Sequence, residues 1–215
     1  MAKIELNIDK GTMIGSASME EDDPVVMLMQ SIEAEAHEAG WDAPPAFFLI
    51  LYVSDLTGVA NVSPEAVGAL GARSFILPES WYHDPSQITP FLARFLREEP
   101  EGCAWLKPQI PDEYFGIAMI SEGWTVPQPA PDSPEWASWN DARRLGMFHA
   151  HPDRREQRVA QVYLLNGREL MIQRTRGEFP VVLEPGVDGL VHLGGNLPTA
   201  CRSIRDEFAK ILKED

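Results

Sequence analysis

Residues 158–175 read RVAQVYLLNGRELMIQRT, and this stretch decides the fold. The pair Asn166-Gly167 tolerates positive φ at both centres of a type I′ turn, whose twist matches two antiparallel strands. The flanks on either side are rich in Val, Tyr, Leu, Ile and Met. A two-residue loop sets Leu165 opposite Arg168, Tyr163 opposite Leu170 and Val159 opposite Arg174, while Val162 meets Met171 on the other face. Apolar pairs on both faces predict a ribbon covered on each side at its middle, with charged ends reaching solvent. A tight hairpin among interspersed helices breaks any regular βα alternation. The expected class is α+β: a single domain with a mostly antiparallel sheet and amphipathic helices packed on it. The first and last helices are placed together on one face, with a three-layer arrangement as the alternative.

Working outward, residues 179–184 read as a further strand. Residues 197–212 read as an amphipathic helix with Leu197, Cys201, Ile204, Phe208 and Ile211 inward. Gly194-Gly195-Asn196 reads as the cap and turn before it. Upstream, YFGIAMI at 114–120 is a strand that extends to Trp124 across Gly123. AFFLILYV at 46–53, set off by Pro44-Pro45, is a continuous apolar run and so a strand buried on both faces. Asp23 with Pro24 behind it caps a first helix whose stripe is Val25, Leu28, Met29, Ile32, Ala36 and Ala39, stopped at Gly40. Thr89-Pro90 repeats the device for a second helix with Phe91, Leu92, Phe95 and Leu96 inward. A short helix over 63–72, a short strand over 74–78 and an aromatic loop at Trp81-Tyr82-His83 fill the gap between them. Residues 1–22 are expected to be a loosely ordered segment, with a short strand within 3–9 and a loop over 11–17. Residues 23–215 form the domain.

One excursion interrupts this plan at 127–148. Prolines 127, 129, 131 and 134 cannot hold regular structure there. Ser133-Pro134 then starts a short helix that carries Trp136 and Trp139 on one side. These tryptophans either seal the excursion onto the body or serve as a binding anchor, since Trp is enriched at interface hot spots.

Charge is concentrated beside it. Between Arg143 and Glu178 lie eight arginines and four acids, a local +4 on a chain of −15. Arg154, Arg155, Arg158 and Arg174 therefore form either a docking surface for an acidic partner or a set of cations paired with the body's own carboxylates. An overall pI near 4.7 argues against a protein that coats nucleic acid. The longest apolar run is too short to span a bilayer, and the first residues hold no apolar core of a signal peptide, so a soluble cytoplasmic protein is expected. Cys103 and Cys201 lie far apart in no metal or redox spacing and read as buried small hydrophobes.

His149-Ala-His151-Pro152 invites a metal reading, because alternating histidines on a strand point to one face and can share a Zn²⁺. The run resembles the His-x-His-Pro of JAMM-type zinc isopeptidases. The serine and the metal-binding aspartate of that motif fall here on Val159 and Val162, so the third ligand is missing. The alternative is that both histidines hydrogen-bond locally at the end of the excursion. Asp153, Arg154, Arg155 and Glu156 read as a salt-bridged strand entry. No Gly-x-Ser-x-Gly occurs, and neither cysteine has a neighbouring histidine in sequence.

GWDAPP at 40–45 before an apolar strand, HPDRREQRV at 151–159 leading into the hairpin, and LGGNLPTA at 193–200 opening the last helix resemble a family of uncharacterised actinobacterial proteins. Similar sequences occur in phages of those bacteria. The resemblance covers 40–200 in outline and implies the strand pair at 151–175, but no activity. The expected function is a non-enzymatic, cofactor-free protein that binds a protein partner through Trp136, Trp139 and the arginines. A metal-dependent hydrolase using His149 and His151 is the alternative, and an acidic phage-type inhibitor of a host or defence protein is a third. The sequence leaves the oligomeric state open.

Overall fold

A strand buried on both faces needs a helical layer on each, and the computed structural model has that arrangement. It describes residues 3–5, 16–18, 23–52, 70–75, 85–99, 104, 106–184 and 196–213. Helix α1 (Pro24–Ala39) precedes strands β3 (Ala46–Tyr52) and β4 (Leu70–Phe75), then helix α2 (Pro85–Glu98). Strand β5 (Tyr114–Thr125), helix α3 (Trp136–Arg144), strands β6 (Arg155–Leu164), β7 (Glu169–Thr175) and β8 (Val181–Leu183), and helix α4 (Asn196–Lys213) follow. Short 3-10 turns occupy Lys107–Gln109 and Met147–Ala150. Near the start, β1 (Lys3–Glu5) pairs antiparallel with β2 (Ser16–Ser18), so residues 16–17 are strand rather than loop. The remainder of 1–22 lies outside the described residues.

The main sheet is antiparallel throughout, in the order β4-β3-β5-β6-β7-β8. The α+β class is as expected, but the two helices do not share a face. Alternation splits each strand: Ile50, Ala118, Ile120, Ala160, Val162, Leu170 and Ile172 pack under α1. Phe47, Leu49, Ile117, Met119 and Tyr163 point the other way, onto α2 and α4. The sheet has enough apolar residues on both faces to need both layers, and the three-layer alternative is correct. Gly116 lets β5 approach β6 closely, since a Cβ there would lie 2.5 Å from the Tyr163 carbonyl oxygen.

The hairpin exists, in a different register. Leu164 N–H donates to the Arg168 carbonyl and Gly167 N–H to the Leu164 carbonyl, so the loop has three residues, 165–167. Only Gly167 takes positive φ (88°), while the Asn166 side chain accepts the Arg168 N–H at 3.0 Å. This is a type I turn closed by a left-handed glycine, the common three-residue solution. One extra loop residue moves every pairing by one: Val162 faces Leu170, Gln161 faces Met171 and Arg158 faces Arg174.

Other differences have equally local causes. Residues 70–72 belong to β4 rather than to a helix, with 63–69 and Trp81-Tyr82-His83 outside the described residues, as are Gly194 and Gly195. The second helix begins at Pro85, so Thr89 is not its cap. Thr89 is buried in mid-helix, its hydroxyl 3.2 Å from the Met119 sulfur, and Pro90 sits inside the helix.

Asp23 caps α1 through Val25 N–H (2.8 Å) and Val26 N–H (3.3 Å), and it also binds Arg168 at 3.0 and 2.5 Å. Burial alone would raise this carboxyl, but the Arg168 and backbone hydrogen bonds outweigh it and hold it below its ordinary value. A depressed folded value means that its stabilisation is present above the unfolded titration and is lost as pH falls through the folded one. Asp23→Asn keeps the cap but loses the charge facing Arg168 and the helix N-terminus, and should be less stable than wild type by about 0.5–1 kcal/mol at neutral pH. In urea titrations that gap should hold down to about pH 5 and narrow progressively as pH falls below about pH 4. A gap unchanged between pH 7 and pH 3 would contradict the assignment.

Candidate functional site

Strand pairing brings Thr125 opposite Arg155, Gln157 opposite Thr175 and Ala46 opposite Ile120. The connections 40–45, 126–154 and 176–180 therefore emerge at one end of the sheet. Four of the six tryptophans stand there, namely Trp41, Trp124, Trp136 and Trp139. That concentration makes this end the candidate site.

The excursion is built around its helix. The Trp136 and Trp139 rings stack with centroids 5.5 Å apart, and Phe148 tilts onto Trp139 at 5.6 Å. Trp139 Nε1–H donates to the Val126 carbonyl at 3.3 Å, which ties α3 to the end of β5. Gly146 in the left-handed region stops α3, and the turn Met147–Ala150 lies against both α3 and β5. Both tryptophans are half-buried, so sealing is a role they visibly perform. Their outer neighbours are more open: Trp124 is 43 % exposed, Met147 48 %, Leu145 63 % and Phe179, in the β7–β8 connection, 90 %. None of these four was identified from the sequence. Trp124 was legible as an aromatic at a strand end, but exposure of Leu145 and Met147 depends on how the excursion folds back.

The arginines divide into two groups. Arg158 and Arg174 are not on a docking surface. Arg158 is 1 % exposed and Arg174 is largely covered, because the corrected register turns both toward α1. There Glu33, itself 1 % exposed, accepts Arg174 Nε and Nη2 at 2.7 and 2.6 Å and lies 3.8 Å from Arg158 Nη1. Glu122, opposite Arg158 on β5, accepts Arg158 Nε and Nη2 at 3.0 and 2.6 Å and the Asp42 N–H at 2.6 Å. Arg158 also donates to the Gly40 carbonyl, at the end of α1, and its guanidinium lies 4.6 Å from the Trp41 ring centroid. Arg176 covers Trp41 at 5.4 Å and pairs with Glu156. Hydrogen bonding from Glu33 raises Arg174 above its ordinary value. The internal reading of these cations is the structural one.

Arg154 and Arg155 do reach solvent. Arg155 pairs with Glu178 at 3.4 Å, whereas Arg154 lies over the Trp124 ring at 5.1 Å and donates to the His151 carbonyl. Arg143, in the last turn of α3, lies over Trp139 at 5.6 Å in the same manner and donates to Asn140. The structure thus gathers Trp136, Trp139, Arg154 and Arg155 at one end and withdraws Arg158 and Arg174 beneath it.

The histidines are engaged locally. His149 Nδ1 lies 3.2 Å from the Gly146 carbonyl, and His151 Nδ1 accepts the Asp153 N–H at 3.1 Å. Among the described residues, the acidic or metal-ligating groups with ligand atoms in mutual reach are Asp42, Glu122 and Glu156, within 4.8 Å of one another. Arg158 on Glu122 and Arg176 on Glu156 already supply cations there, so this cluster is the outer part of the ion network. Burial pushes the Cys201 thiol up to about 12, which leaves it protonated and packed in the core. Among the described residues no helix is long and apolar enough to cross a membrane. No family model, curated protein or solved structure matches the chain.

Proposed function

We propose that this is a non-enzymatic protein that binds a protein partner through the loop end of its sheet. The observation that carries the reading is that Trp124 at the end of β5, and Leu145, Met147 and Phe179 on the connections beyond, are all exposed at one end of the sheet. Exposed apolar side chains scattered singly are ordinary, whereas several on one rigid surface mark an interface. The opposite end also exposes Met27, Tyr52 and Leu165, with Tyr52 resting on Phe115 at 5.2 Å; what the loop end adds is the stacked tryptophans and the arginines over indoles. The surface also has the anatomy of an interface: aromatic rings with arginines at the rim. An inhibitor of a host or defence protein would be one instance of this reading.

The test is a Trp124→Ser/Leu145→Ser/Met147→Ser/Phe179→Ser variant that keeps the wild-type circular dichroism and melting temperature. A partner recovered stoichiometrically from source-cell lysate by the wild type, then purified, should bind it in calorimetry and lose at least about a hundredfold affinity for the variant. Undiminished binding would remove this end of the sheet from the interface.

A further inference from the structure

The arginines at the loop end point to the chemistry of what binds there. Seven stand at that end, and five have carboxylates: Arg144 with Asp141, Arg155 with Glu178, Arg158 with Glu122, Arg174 with Glu33 and Arg176 with Glu156. Arg143 and Arg154 have none among the described residues. Each lies over an indole instead, Arg143 on Trp139 and Arg154 on Trp124. Arg73 and Arg97 also lack a carboxylate among the described residues, so what sets Arg143 and Arg154 apart is that each is held over an indole at the same end.

The ring beneath each guanidinium does two things. It restricts the side chain, so less rotamer freedom remains to be lost on binding, and beyond one bond each, Arg143 to Asn140 and Arg154 to the His151 carbonyl, it leaves N–H groups for a planar acceptor. Leu145 and Met147 follow Arg143 directly in the chain, and Trp124 lies under Arg154, so cationic and apolar groups alternate over one surface. Residues 143–155 hold four arginines against one acid, Asp153. From this juxtaposition, and resting on the reading of this end as a docking surface, we infer that the occupant is a protein segment bearing carboxylates beside an apolar anchor. Carboxylates would take the remaining N–H groups of Arg143 and Arg154, and the anchor would cover Leu145, Met147 and Trp124. Paired arginine and tryptophan also suit single-stranded nucleic acid, but that carries a charge at every nucleotide and the acidic body opposes it more than a segment with two or three carboxylates.

Four synthetic probes separate the outcomes: a 14-residue peptide alternating Asp/Glu with Leu/Phe, its Asn/Gln counterpart, its Lys counterpart, and a 14-mer of deoxythymidine. Binding is followed by tryptophan fluorescence. The acidic peptide should bind roughly tenfold or more tightly than the amide peptide, and Arg143→Gln/Arg154→Gln should erase that difference. Arg143→Glu/Arg154→Glu should reverse the preference toward the Lys peptide, an effect that a merely structural role for these arginines would not produce. Equal binding of the acidic and amide peptides, with both lost in Leu145→Ser/Met147→Ser, overturns the acidic assignment and leaves the docking surface standing. Preference for the oligonucleotide overturns the assignment in favour of nucleic acid. No binding of any probe, or binding indifferent to every substitution, overturns both.

Discussion

Glu33→Ala should cost the fold about 3–5 kcal/mol, measured as a drop in the urea midpoint with the slope unchanged. The size follows from what remains behind. Arg158 and Arg174 stand directly opposite each other on β6 and β7, and like charges in that relation repel. Glu33 projects from α1 between them; without it Arg174 loses its carboxylate and Arg158 is left with Glu122 alone, in a space from which water is largely excluded. Arg158 keeps its pair with Glu122, but its Nη1 has no hydrogen-bond partner among the described residues even in the intact protein, and Glu33 at 3.8 Å is the carboxylate paired with that atom. The control is Glu98→Ala, which removes an exposed pair of 3.7 Å with Arg94 and should leave the midpoint unchanged. A small loss for Glu33→Ala would mean that water reaches Arg158 freely. Because Arg158 also holds the Gly40 carbonyl and the Trp41 ring, the variant should loosen the 40–45 connection first.

Phe208→Ala should cost a comparable amount, about 3–5 kcal/mol, by the same denaturation. Phe208 is fully buried at the meeting of α4 with the sheet and contacts Phe75 edge-on at 5.4 Å and Tyr114 at 6.0 Å. Its neighbours Ile204 and Leu96 come from two different helices, so no single element can shift to fill the space. The cavity would persist, and the cavity contribution adds to the lost transfer energy. A cost under about 1 kcal/mol would show that α2 and α4 relax together into the gap.

These two residues also show what a sequence reader can and cannot see. Phe208 announced itself by helical spacing with Ile204 and Cys201, and the run 46–53 by unbroken apolarity, because period and continuity are local properties. Glu33 was passed over. It sits on the buried side of α1, one turn beyond Met29, but its meaning lies in Arg158 and Arg174 more than a hundred residues later. Placement of α1 and α4 on opposite faces was likewise invisible to periodicity, which gives each helix an apolar stripe without saying which face of the sheet receives it. The hairpin was legible from Asn166-Gly167, yet its register was not. Asn-Gly fits a two-residue type I′ loop, and the three-residue loop with one left-handed glycine uses the same pair. That single residue decides whether Arg158 faces Arg174 or Thr175. Of the proposed binding residues, Trp136, Trp139, Arg154 and Arg155 share one end of the molecule because the strands that flank them are paired. Arg158 and Arg174 were misplaced through the same register.

Strands β5 and β6 are adjacent and antiparallel, and two residues would suffice to join them. The chain instead spends residues 126–154 on the connection, and closing a loop that long rather than a two-residue turn costs roughly 2 kcal/mol of chain entropy. The stacked Trp136 and Trp139 recover part of that within the loop itself, but nothing in the six-stranded sheet requires the detour. On the docking reading proposed above, this segment is kept for what it binds. Descent should therefore leave two different marks on this chain: slow, volume-conserving drift where α1, α2 and α4 meet the sheet, and changes between Val126 and Arg154 that follow whatever the loop end meets.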